Sequence, residues 1–141
     1  MIDVRTSKDI KGYPILEEPK VYIYVMLNNV GKVKIGRTRN MQKRYQSLCG
    51  SNGQGNCISQ VYVSPPTFLS SLENIMHSKF NNYRIPRTEW FYDEEDSIGE
   101  TLFSNAVNEL ESLFSSAEYK KCNDVRKRLY EVKIAKDKGG D

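Results

Sequence analysis

Between Val21 and Arg44 the chain reads VYIYVMLNNVGKVKIGRTRNMQKR, and the alternation in this stretch restricts the fold more than any other feature. Val21, Ile23, Val25 and Leu27 alternate with Tyr22, Tyr24 and Met26, the period of a strand with one aliphatic face and one face bearing two phenols. Val33 and Ile35 then alternate with Lys32, Lys34 and Gly36. The two runs read as a hairpin, and loop length decides whether its faces mix. A loop of two or four residues would set Val25 opposite Lys34. The three-residue loop Asn29-Val30-Gly31, with Gly31 left-handed, sets Val25 opposite Ile35 and Met26 opposite Lys34. Tyr22, Tyr24 and Lys34 then share one face, a phenol–ammonium cluster that a sheet does not need for stability.

Around this hairpin the sequence predicts a core domain over residues 20–96, preceded by a polar arm (1–19) and followed by a helical extension (97–141). The arm reads as a loose or irregular lead-in with a turn at Gly12-Tyr13-Pro14. Asn40 is a good N-cap for a helix from Met41 to Leu48 that stops at Gly50, and Ser51–Asn56 is a Gly/Asn-rich loop. Ile58–Ser64 reads as a third strand ended by Pro65-Pro66, and a helix is expected from Thr67 to Asn81. Glu89-Trp90-Phe91-Tyr92 is a short extended piece after a basic loop, with Trp90 and Phe91 expected beneath the sheet. Helical spacing recurs over Ile98–Ser115 and Glu118–Lys136. The fold class is therefore α/β (α+β): a small, mostly antiparallel three-stranded sheet flanked by helices.

Composition narrows the function classes. A net charge of +3 on 141 residues is too small to argue nucleic-acid binding by itself. Its distribution says more: Lys32, Lys34, Arg37, Arg39, Lys43 and Arg44 crowd one segment, whereas Asp93, Glu94, Glu95 and Asp96 form an acidic run. Three cysteines without a CxxC spacing, and a single histidine, argue against a disulfide framework or a zinc module. With no signal-like or membrane-length apolar run, a cytoplasmic protein with no membrane partner is expected.

Several residues stand where packing alone would not put them. On the first helix Met41, Tyr45 and Leu48 form the apolar face, and Arg44 falls on the same side. It can snorkel to water, or it can reach across the phenolic face to hold an anion with its planar donors. On the next helix Leu69, Leu72, Met76 and Phe80 form a stripe that takes in Glu73, with His77 one turn on. A carboxylate there needs a cation: either an ion pair with Arg44 or His77, or a metal such as Mg²⁺, which favours one or two carboxylates plus water and phosphate oxygens. Together these groups supply a base, a phosphate clamp and a metal ligand, the parts needed to hydrolyse a phosphodiester.

These motifs resemble the GIY-YIG nuclease superfamily, most closely its small phage-encoded branch. The residues that carry the resemblance are Tyr22-Ile23-Tyr24, Lys34-Ile35-Gly36-Arg37-Thr38, Arg44, Glu73 with His77, and Glu89-Trp90-Phe91, in order over about residues 20–92. The resemblance implies a DNA endonuclease that uses one divalent ion, Mg²⁺ or Mn²⁺. It assigns Tyr24 to activate water, Arg44 to bind the scissile phosphate, Glu73 to hold the metal and His77 to orient or shuttle a proton. Two positions depart from the pattern: Tyr22 stands where a Gly is usual and Lys34 where a Tyr is usual. Lys34 could lower the Tyr24 pKa or act as the base itself, so Tyr22, Tyr24 and Lys34 all enter the candidate catalytic set. Asn81 and Asn82 are candidates for an Asn that many relatives carry late in the domain.

If DNA is the partner, Arg37, Arg39, Lys43, Arg84 and Arg87 read as backbone-phosphate contacts. Lys120, Lys121, Arg126, Lys127 and Arg128 either extend that contact or form a solvated helix face. No second recognition domain is visible, so specificity is low or comes from loops, the tail, a homodimer or a partner protein. The altered motif positions motivate an alternative: a catalytically silent nucleic-acid- or partner-binding module from a phage or mobile element.

Overall fold

The hairpin forms in the expected register. The structure, a computed structural model, describes residues 2–4, 10, 12–50 and 58–139. Strand β2 (Tyr22–Asn28) pairs antiparallel with β3 (Val33–Thr38), Val25 opposite Ile35 and Met26 opposite Lys34. Gly31 closes the loop at φ +81°, and a side chain there would also meet Ser97. The Asn28 side chain accepts from the N–H groups of Val30 (3.1 Å) and Lys32 (2.9 Å), which fixes the turn from within.

The sheet is wider than three strands. Its order is β1-β4-β2-β3-β5, antiparallel throughout, with β1 (Ile2–Val4) and β5 (Trp90–Phe91) as short outer strands and β4 (Ile58–Val63) beside β2. The described part of the arm is irregular but packed rather than loose. Its first strand pairs with β4, Ile10 and Leu16 are buried, and the expected turn closes through Tyr13 N–H to the Ile10 carbonyl. Trp90 and Phe91 form a strand of the sheet itself, with the Phe91 side chain packed in the core on one face, as expected, and Trp90 packed against the cluster on the other.

Helices cover both faces. α1 (Met41–Gly50) is capped as expected, the Asn40 side chain accepting from Lys43 N–H at 3.0 Å. It buries Met41 and Tyr45 against Tyr22, Tyr24, Met26, Val61 and Val63. On the other face Ile23, Val25, Leu27, Val33, Ile35 and Phe91 pack against α2 (Leu72–Lys79) and α3 (Glu100–Ser115). α3 contributes Leu102, Phe103, Ala106, Leu110 and Phe114, so it is part of this core. α2 starts later than the spacing predicts because Thr67 pairs with Val21 through two backbone bonds of 2.9 and 3.0 Å, holding that segment extended. α4 (Ala117–Gly139) follows α3 and exposes Val125, Leu129 and Val132, the face expected to be its apolar side. The Ser51–Asn56 loop and Cys57 lie outside the described residues. No helix among the described residues is long and apolar enough to cross a membrane.

Candidate active site at an open strand edge

β5 pairs with β3 only at Val33 and Lys34, and the Ile35 N–H still reaches the Glu89 carbonyl at 3.4 Å, so the outer edge of β3 has no strand partner beyond Ile35 among the described residues. Groups from both faces of the sheet meet at that edge. Tyr24 reaches it because its ring crosses the strand at Gly36, the residue directly opposite. A Cβ on Gly36 would lie 2.6 Å from Tyr24 Cζ and closer still to the hydroxyl. Glycine here is a requirement of the phenol's path, not of the backbone.

The phenol is buried but not isolated. Arg44 Nη1 lies 3.5 Å from Tyr24 Oη, so this arginine turns toward the phenolic face instead of only snorkelling to water. Burial pushes the Tyr24 pKa well above the ordinary tyrosine value. The Arg44 charge and its hydrogen bond pull it down, and the carboxylates of Glu89 and Glu73 push it up. All three charged groups therefore act on one hydroxyl.

Lys34 does not serve as the cation expected to lower Tyr24. Its Nζ is ion-paired with Glu89 Oε2 at 3.2 Å and stands 5.4 Å from the Trp90 ring centre. The period of the sequence gave no reason to place an acid here, and Glu89 is the site residue that sequence reasoning missed. It had read as part of a core-closing motif, whereas its carboxylate faces Lys34 at the point where β5 begins.

From the opposite face, α2 lines up along the open edge. His77, buried, bonds through Nε2 to the Ile35 carbonyl at 2.7 Å; a carbonyl only accepts, so Nε2 carries a proton. The imidazole takes the place a longer β5 would have filled. Glu73 pairs with neither Arg44 nor His77. Its Oε1 lies 3.7 Å from Arg37 Nε, because Arg37 is two residues beyond Ile35 on the edge that α2 follows. Arg37 also donates to the Ser70 carbonyl at 3.4 Å. The Glu73 side chain is only 12% exposed. Burial foremost, then the Glu89 charge, raises its pKa, against the lowering influence of His77, Arg37 and Lys34. A shielded carboxylate short of positive charge fits a hard divalent cation.

Glu73, His77, Asn81, Arg84 and Glu89 line one polar cleft of about 540 Å³. Asn81, not Asn82, is the late asparagine in this cleft. Arg84 is held by its Nε–H to the Thr88 carbonyl at 2.8 Å, and Arg87 is exposed at φ +66°. Arg39 and Lys43 are exposed around the start of α1. Tyr22 is not in the site. Its hydroxyl donates to the Pro14 carbonyl at 2.7 Å and its ring packs edge-on against Tyr13, so this phenol anchors the N-terminal arm. Among the described residues no group of three or more His, Cys, Asp or Glu side chains is arranged to hold a metal by itself.

Fold and site together define an antiparallel α+β domain with a charged cleft at an interrupted sheet edge. Residues 20–109 match the model of the T5orf172 domain, and the chain belongs to that family, a phage-associated one related to nuclease-like domains. No curated protein and no solved structure matches the chain.

Proposed function

We propose that this protein is a divalent-metal-dependent DNA endonuclease of the GIY-YIG type. The observation that carries the reading is that Arg44 reaches the Tyr24 hydroxyl at 3.5 Å from one face of the sheet, while Glu73 and His77 on α2 line a polar cleft along β3 from the other. In this reading Arg44 binds the scissile phosphate with its fixed donors. Glu73 would hold one Mg²⁺ or Mn²⁺, which when bound would supply Lewis-acid stabilisation of the charge on the reacting phosphate. Tyr24, once its own proton has passed to solvent, takes a proton from the attacking water, whose oxygen adds to phosphorus as the bond to the leaving oxygen breaks; the leaving oxygen takes a proton from water. Lys34 is the weaker candidate for the base, since its Nζ is already engaged by Glu89 Oε2. Tyr24 is held up partly by the Glu73 carboxylate, so neutralising that carboxylate lowers the phenol toward use. His77 Nδ1 is available to orient water or relay a proton.

The test is conversion of supercoiled plasmid, and of single-stranded DNA, with Mg²⁺, Mn²⁺ or EDTA. Metal-dependent cleavage that is absent from folded Glu73→Ala and Arg44→Ala proteins is the expected result. A folded Glu73→Ala protein that cleaves like wild type overturns the reading. One observation favours a second reading, a silent DNA-binding module: Tyr24 is raised and Lys34 is ion-paired, so neither base is ready in the free protein. That module binds DNA in a salt-sensitive way without turnover under either metal, and Glu73→Ala leaves its binding intact.

A further inference from the structure

The chain's positive charge is not confined to the region of the cleft. Ala117–Gly139 holds eight Lys or Arg against four Asp or Glu, a net +4, while the whole chain carries +3; everything outside α4 is therefore close to neutral, at −1. α4 is therefore a second cationic stretch beside residues 32–44, which hold six Lys or Arg and no acid.

That helix is fixed in a definite place. Tyr119 Oη donates to Thr67 Oγ1 at 2.8 Å. Asn123 Oδ1 accepts from Phe68 N–H at 2.9 Å and from the Thr67 hydroxyl at 3.2 Å. Further along, the Tyr130 ring lies 5.8 Å from that of Phe68. α4 is thus pinned to the loop that leads into α2, the helix bearing Glu73.

Ser70, in that loop, joins the two regions. Its carbonyl accepts from Arg37 at the cleft rim, and on its other side it lines a groove of about 600 Å³ together with Arg126 and Lys133. Arg126 and Lys133 are seven residues apart, so they face the same way about 10 Å apart along the helix. That matches about three steps of 3.4 Å along one DNA strand. Glu18 and Asp137 also line the groove, and Arg126 and Lys133 are its two cationic side chains.

We propose that α4 is a phosphate rail for duplex DNA: Arg126 and Lys133 continue the track that Arg37 begins, holding the duplex beyond the cleft by backbone contacts. The proposal rests on the reading of the cleft as a DNA site. Charge complementarity selects the partner, and backbone contacts of this kind position a duplex without reading its sequence.

The experiment is fluorescence anisotropy with a duplex of about three helical turns, in EDTA so that nothing is cut, over a range of salt. Three proteins are compared: wild type, Arg126→Ala/Lys133→Ala, and Lys120→Ala/Lys127→Ala, which removes the same charge from another side of α4. All four side chains are exposed, so the variants keep the fold. Two lost contacts at about 0.9 each reduce the slope of log K against log salt by about 1.8 in the groove variant. The control pair keeps a slope near that of wild type. A groove variant with the wild-type slope, or equal losses in both variants, overturns the rail and leaves the cleft reading standing. Wild type that fails to bind at low salt overturns both.

Discussion

Replacing Gly36 by alanine tests how the phenol reaches the open edge. The added Cβ would lie 2.6 Å from Tyr24 Cζ and 2.9 Å from Cε2, whereas relaxed carbon contacts are about 3.5–4.0 Å. The ring must move by about 1 Å. Tyr24 is fully buried and packed in the core that Met41 and Tyr45 complete, so the movement is resisted. Overpacking of this kind costs about 1–3 kcal/mol, and alanine recovers roughly 0.5–1 kcal/mol over glycine in a strand. The net destabilisation is about 1–2 kcal/mol, a drop in Tm of about 3–8 °C for a domain of this size. Catalysis suffers more: a reacting group displaced by about 1 Å loses roughly 100-fold in rate. Thermal unfolding and single-turnover plasmid cleavage measure the two effects. In a Tyr24→Phe background the closest clashing atom is gone, so the stability cost of Gly36→Ala shrinks, with a coupling of at least about 0.5 kcal/mol. A Gly36→Ala protein with wild-type Tm and rate would show that the ring does not cross β3 and would refute the path by which Tyr24 joins the site.

Three further outcomes are expected. The Glu73 pKa is raised in the folded protein, so its ionisation opposes folding: stability is greatest below the ordinary carboxylate range and declines as pH rises through the raised pKa. Glu73→Gln removes that loss, so its Tm exceeds that of wild type at pH 7 and the advantage disappears below about pH 4, while cleavage is abolished; melting curves across pH report it. Tyr22→Phe deletes the bond to the Pro14 carbonyl and costs about 1 kcal/mol in denaturant unfolding with cleavage unchanged. Asn123→Ala strips the acceptor from Phe68 N–H and the Thr67 hydroxyl. It lowers stability by about 1–2 kcal/mol and raises amide exchange in α4 before the rest of the chain.

The hairpin was legible because two independent cues, side-chain alternation and a glycine at the required loop position, agree on one register. Gly36 was visible as part of a motif, but its reason was not: the clash with Tyr24 depends on two strands being opposite, which only the register supplies. The two phenols of one face could not be told apart in the sequence. Tyr22 is separated from Tyr24 by a carbonyl of the arm, a long-range bond with no periodic signature. The partners of charged side chains were equally hidden. Arg37 rather than Arg44 faces Glu73, and Glu89 rather than Tyr24 holds Lys34, because β5 ends where it does and α2 lies along the vacated edge. The β1 strand was missed because three residues give too short a run for alternation to register.

A two-residue β5 is also a solution to a hazard. An unpaired sheet edge invites another chain to add a strand, and proteins usually blunt such edges with charge or cover. Here the exposed stretch is guarded by the Arg37 guanidinium and by an imidazole occupying the first vacant carbonyl. The guards against self-association are thus the same side chains that border the cleft. Extending β5 by two or three residues would complete the sheet and make the molecule a safer fold, and in doing so would cover the edge that the proposed reaction needs open.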